Sequence, residues 1–175
     1  MSRHSITVQH ERDGFTLLEL LVVMAILAII SSSLVPVYVS AMDGVRTRNA
    51  QNDIISVLRY AQEVAVRESR EHRVYFNKKT GVYHLMRLIR LENDEKVFEP
   101  ADSLIGEKQS IPATLVFANI RARRDRRTRE YFISCLPNGA SDKAVIRLRD
   151  QRSHGVYIEI TVEGPLGKIT LEESR

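Results

Sequence analysis

The sequence predicts an α+β protein in which a long N-terminal helix, membrane-spanning in its first half and amphipathic in its second, packs on a C-terminal β-rich domain of antiparallel strands. Three observations carry that prediction. Leu20–Met42 runs for 23 residues without a charge. Apolar residues then recur at helical spacing, and from Arg73 onward the period shortens to the alternation of strands. The boundaries that follow are a polar leader over 1–14, a transmembrane helix over 15–42, its amphipathic continuation over 43–72 and the β-rich domain over 73–175.

The apolar run is long enough to cross a hydrocarbon core of roughly 30 Å as a helix. Glu19 stands at its mouth, five residues after Gly14. A carboxylate carried to the bilayer centre costs about 2.5–3.5 kcal/mol, so Glu19 needs a partner or a place at the interface. The run also exceeds the roughly 7–15 apolar residues of a secretory signal, and only Ser31-Ser32-Ser33 resembles a small-residue cleavage site. Pro36 removes one backbone hydrogen bond, which kinks or loosens the helix, and the three serines can bond back to nearby carbonyls. Charge does not set the orientation, because Arg3 and Arg12 before the span are matched by Arg46 and Arg48 after it.

Beyond Asp43-Gly44, a weak point between the halves, Ile54, Leu58, Ala61 and Ala65 form a stripe with Val57 and Val64. Arg59, Glu63, Arg67, Glu68 and Arg70 take the other faces. The helix is expected to end near Arg70–Arg73 with its stripe against a sheet. Arg73–Asn77 and Val82–Leu91 flank Lys78-Lys79-Thr80-Gly81 and read as a hairpin. Glu92–Ser110, polar and acidic at its start, reads as a loop with room for short structure. Thr114–Ile120, Glu130–Cys135, Ala144–Arg149, Val156–Glu163 and Lys168–Glu172 read as five further strands, with Gly164-Pro165-Leu166-Gly167 turning into the last.

Charge is concentrated in one place. The chain has 26 basic and 22 acidic residues, and Arg121, Arg123, Arg124, Arg126, Arg127 and Arg129 fall within nine positions, relieved only by Asp125. Such a segment can be a solvated loop, dock an acidic protein, or contact the phosphates of lipid or nucleic acid. No aromatic residue lies inside it, so the run itself offers no stacking platform for single strands. Catalysis finds no support. His72, His84 and His154 are far apart in sequence and no phosphate loop or nucleophile elbow is present. The single cysteine, Cys135, sits in an apolar strand as a small core residue and forms no internal disulfide. The chain is read as neither an enzyme nor a cofactor binder.

The stretch Gly14-Phe15-Thr16-Leu17-Leu18-Glu19, followed by Leu20–Ile30, resembles the N-terminal signature of the type IV pilin and type II secretion pseudopilin superfamily. That resemblance implies cleavage by a prepilin peptidase between Gly14 and Phe15, N-methylation of Phe15, and an N-terminus that starts on the cytoplasmic side. The protein is then a single-pass inner-membrane protein with a periplasmic C-terminal domain. A physical argument runs alongside: the new amine of Phe15 is cationic, and in an axially staggered array Glu19 can face the amine of the next subunit and set register.

The C-terminal half is similar to the minor pseudopilin H and FimT-type minor pilin family over Phe132–Asp150, Gly155–Val162 and Gly167-Lys168-Ile169. Those proteins place a long helix against two packed sheets. The missing disulfide also favours a pseudopilin or minor pilin. The function implied is that of a minor pseudopilin of the type II secretion pseudopilus, with other pseudopilin subunits, the inner membrane and secreted proteins as partners. The alternative is a minor type IV pilin that primes pili or assists DNA uptake. DNA-uptake relatives carry a Gly-Arg-x-Arg segment where this chain has Gly167-Lys168-Ile169-Thr170, so nucleic acid is disfavoured.

Overall fold

A computed structural model describes residues 16–93, 95–102, 107–151, 157–165 and 167–174, with the side chains of 33–37, 39–41, 43 and 174 outside the description. The chain divides into two compact units, Met1–Met42 and Asp43–Arg175. The helix α1, Leu17–Arg67, starts in the first and ends in the second.

In the first unit, Thr16 starts the helix. Its Oγ1 accepts the N–H of Glu19 at 3.2 Å, and its carbonyl accepts the N–H of Leu20 at 3.2 Å. Thr16 is thus the N-cap and Glu19 the third helical residue, the spacing of a capping box, with the carboxylate in the first turn where the helix dipole favours it. Further along, Ser32 Oγ donates to the Ile29 carbonyl at 2.7 Å, the back-bonding anticipated for the serine run. Among the described residues no helix is long and apolar enough to cross a membrane.

In the second unit, Ile54, Val57, Leu58, Ala61, Val64 and Ala65 of α1 are buried, the stripe predicted from their spacing, and Ala50 extends it by a turn. The helix stops at Arg67, about a turn earlier than the pattern suggested. The reason is its cap. Ser69 takes φ 51, the Arg70 N–H reaches the Ala65 carbonyl at 3.2 Å and the Ser69 N–H reaches Val66 at 3.2 Å. Those two bonds form a Schellman motif with serine in the left-handed position that glycine usually fills.

The strands follow in order: β1 His72–Asn77, β2 Val82–Glu92, β3 Glu95–Pro100, β4 Gln109–Ser110, β5 Leu115–Arg121, β6 Arg123–Arg124, β7 Tyr131–Cys135, β8 Ala144–Asp150, β9 Tyr157–Val162 and β10 Ile169–Ser174. All pairings are antiparallel. The larger sheet runs β3-β2-β1-β7-β6, with β4 also on β2, and the smaller runs β10-β9-β8-β5. The β1–β2 turn closes as foreseen: Asn77 Oδ1 accepts the N–H groups of Lys79 at 3.0 Å and Thr80 at 3.2 Å. Gly81 takes φ 72 there. The stretch Glu92–Ser110, expected as a loop with room for short structure, carries the short strands β3 and β4, which pair with β2. A register shift between Leu88 and Arg90 bends β2 where β3 joins it.

The core lies between the two sheets and α1. Val74, Phe76, Leu85 and Ile133 face Ile146, Leu148 and Ile160 within one apolar cluster, and Phe76 meets Phe117 edge to face at 5.9 Å. Gln62 ties the helix to two loops: its Nε2 donates to Ser141 Oγ at 3.0 Å and to the Gly167 carbonyl at 2.7 Å. A Cβ on Gly167 would meet the Gly139 carbonyl oxygen at 2.8 Å, so this crossing requires glycine.

Candidate functional site

Two features stand out. The first is the N-terminal motif. Gly14 and Phe15, the predicted cleavage and methylation residues, lie outside the described residues. Glu19 is exposed within the first turn of α1. Pro36 falls within α1, but its side chain lies outside the description, and with it the predicted kink. The described apolar side chains over 17–30 are exposed, from Leu17 at 82% to Val23 at 43%.

The second feature is a trough on the outer face of the larger sheet, about 1150 Å³ in volume and open to solvent. Strand alternation makes it. Val74 and Phe76 of β1 point into the core, so Arg73 and Tyr75 point out, joined by His84 and Met86 of β2. The strands at the two edges of the sheet supply the walls: β3 with Glu92 on one side, and β6 with the turn to β7 on the other.

The floor is an aromatic and cationic layer. The Arg73 guanidinium lies 4.0 Å from the Phe98 ring centre and 4.4 Å from that of Phe132, and Arg73 Nε donates to Glu71 Oε1 at 2.8 Å. Lys96 bonds the other oxygen of Glu71. Burial pushes the Glu71 carboxyl up, but the bonds from Lys96 and Arg73 outweigh it and hold the group below its ordinary value. Tyr75 stacks on His84 with ring centres 5.6 Å apart. Burial pushes the Tyr75 hydroxyl up and the His84 imidazolium down, so a protonated phenol and a neutral imidazole lie side by side.

Arg123, Arg126 and Arg127 of the arginine run line the second wall, and the members of the run have different tasks. Arg121 ends β5. Arg123 lies 5.3 Å from the Phe132 ring centre and 3.6 Å from Asp142. Arg124 lies 5.6 Å from the Tyr131 ring centre and donates to the Arg129 carbonyl at 3.0 Å. Asp125 is the anchor. Its Oδ1 accepts the N–H groups of Arg127 at 2.8 Å and Thr128 at 3.0 Å, and the Tyr75 hydroxyl donates to its Oδ2 at 3.3 Å. Partial burial raises Asp125, but these bonds and nearby Arg73 leave it below its ordinary value. Arg126 and Arg127 are exposed on this anchored turn, with no ion pair among the described residues.

The remaining candidates are structural. Cys135 is 1% exposed, and burial pushes its thiol up to about 12, so it is not a thiolate nucleophile at neutral pH. His72 is equally buried, its Nδ1 3.2 Å from the Arg70 carbonyl. His154 lies outside the described residues. Among the described residues no three His, Cys, Asp or Glu side chains gather to hold a metal ion.

Residues 10–35 match the prokaryotic N-terminal methylation motif. Two solved structures of the minor pseudopilin EpsH from the Type 2 Secretion System of Vibrio cholerae share the fold. One has a TM-score of 0.54 at 12% identity, covering 72% of this chain and 94% of that one. The other has a TM-score of 0.53 at 12% identity, covering 73% and 92%. No curated protein matches the sequence. The chain carries the N-methylation motif of prepilin-type proteins, and its fold is similar to that of pilin-like subunits of that class. Within that class, the solved structures the chain resembles are those of a minor pseudopilin.

Proposed function

We propose that the protein is a minor pseudopilin, a structural subunit of a type II secretion pseudopilus that takes part in protein export across the outer membrane. The observation that carries this reading is the pairing of a methylation motif at residues 10–35 with the fold of a minor pseudopilin. A prepilin peptidase removes the leader between Gly14 and Phe15, and Phe15 is then methylated. The uncharged run Leu20–Met42 anchors the chain once across the inner membrane and leaves the unit from Asp43 onward in the periplasm. Glu19 faces the amine of a neighbouring subunit, an arrangement compatible with its exposure and its place in the first turn.

The test is the secreted proteome of a strain lacking this gene, with and without a complementing copy. Exported proteins that stay in the periplasm and are rescued by the intact copy support the secretion role. An unchanged secretome overturns it and transfers the reading to a minor type IV pilin.

A further inference from the structure

We propose that the trough on the outer face of the larger sheet receives an extended, carboxylate-bearing peptide segment of a partner protein, and that Arg126 and Arg127 are its anchors. The inference stands apart from the assembly the chain joins, because it uses only the geometry of the β-rich unit.

Four observations lead to it. First, the arginines divide into those with structural tasks and those without. Arg73, Arg123 and Arg124 are held by Glu71, Asp142 and the Arg129 carbonyl, whereas Arg126 and Arg127 have no ion pair among the described residues. Asp125 fixes the turn that carries them, so their backbone is already ordered and only the side chains lose freedom on binding. Second, the walls differ in sign. Across the trough from Arg126 and Arg127 stand Glu92, paired with Arg90, Lys96, paired with Glu71, and Glu95, the uncompensated charge of that wall among the described residues. A nucleic-acid strand, charged at every step, would bring phosphates against that acidic wall. An extended peptide sends successive side chains to opposite sides, so its carboxylates meet the arginines while neutral or basic residues meet the glutamates.

Third, the floor carries stacked rings: Tyr75 and His84 both line the trough with ring centres 5.6 Å apart, an amphipathic surface that suits an extended backbone. Fourth, the size fits a segment of chain. About 1150 Å³ exceeds the roughly 300–1,000 Å³ of small-molecule pockets, and Tyr75, Met86 and Phe98 provide apolar area along it.

The experiment uses the full chain in detergent micelles and a fluorescent eight-residue peptide of alternating glutamate and threonine. The matching lysine–threonine peptide and a single-stranded oligonucleotide serve as competitors. The glutamate peptide is expected to bind, to weaken as salt rises, and to lose affinity about tenfold in the Arg126→Glu, Arg127→Glu double variant. Arg121→Glu, outside the trough, is expected to bind as the unaltered protein does. Circular dichroism checks that each variant is folded. Absence of binding, equal binding by the double variant, an equal loss in Arg121→Glu, or tighter binding of either competitor would each overturn the proposal.

Discussion

The two stretches of α1 obey opposite rules. Over Leu17–Ile30 apolar residues occupy every side and stand exposed, with Leu21 at 61% and Ile26 at 50%. Over Ala50–Ala65 apolar residues keep to one stripe, and Ile54 and Ala61 are fully buried. Hydrophobicity alone therefore does not say where a helix is covered. The periodic stretch finds its cover within its own chain, and the uniformly apolar one requires an environment apolar on all sides, as a bilayer or a bundle of like helices would be. The capped start belongs to the second kind of stretch, which is why a carboxylate is found beside it.

The contrast can be tested from both ends. The largest effect is expected from Glu19→Ala. Incorporation into filaments should fall to background in sheared-filament fractions, while the melting temperature of the β-rich unit stays unchanged; filaments at the original level would remove the pairing role. Next, Leu58→Ala should cost about 2–5 kcal/mol in urea unfolding, because it empties a fully buried site. Leu21→Ala, on the exposed stretch, should cost nothing in the same measurement. Equal costs would erase the distinction drawn here.

A smaller effect concerns the residues just after the helix. Glu71 is held below its ordinary carboxyl value, so it binds protons less readily folded than unfolded. Its contribution is complete above the unfolded value of about 4.5 and is lost as pH falls toward the lower folded value. Glu71→Gln should cost about 1–3 kcal/mol at pH 7 and flatten the fall in stability below pH 4.5, as followed by urea titrations across that range. The smallest effect expected is a gain. Ser69→Gly should add about 0.5–1 kcal/mol by relieving the left-handed serine of the cap.

Much of this architecture was legible. In β9 the order Tyr157-Ile158-Glu159-Ile160-Thr161-Val162 announces alternation, and Ile158, Ile160 and Val162 are buried. The directly opposed Arg147 and Glu159 form the cross-strand ion pair such a pattern permits. Strand β3 was not legible because Glu95, Lys96, Glu99 and Pro100 read as a loop. At the edge of a sheet those residues cost little, since only Val97 and Phe98 need cover.

The trough was less legible than the strands. The arginine run announces charge and omits geometry. The lack of aromatic residues within it is true of the sequence, yet antiparallel pairing of β6 with β7 sets Arg123 beside Phe132 and Arg124 beside Tyr131. Asp125 counts in the sequence as one opposing charge, whereas in the fold it anchors the turn. Arg73 and Tyr75 were not singled out in the sequence; the outward phase of β1, readable once Val74 and Phe76 are assigned inward, is the signal that finds them.

Gln62 gives the fold a mechanical property. Its amide joins α1 to the segment after β7 through Ser141 and to the turn before β10 through Gly167. A pull along the buried part of α1 therefore reaches both loops through one side chain.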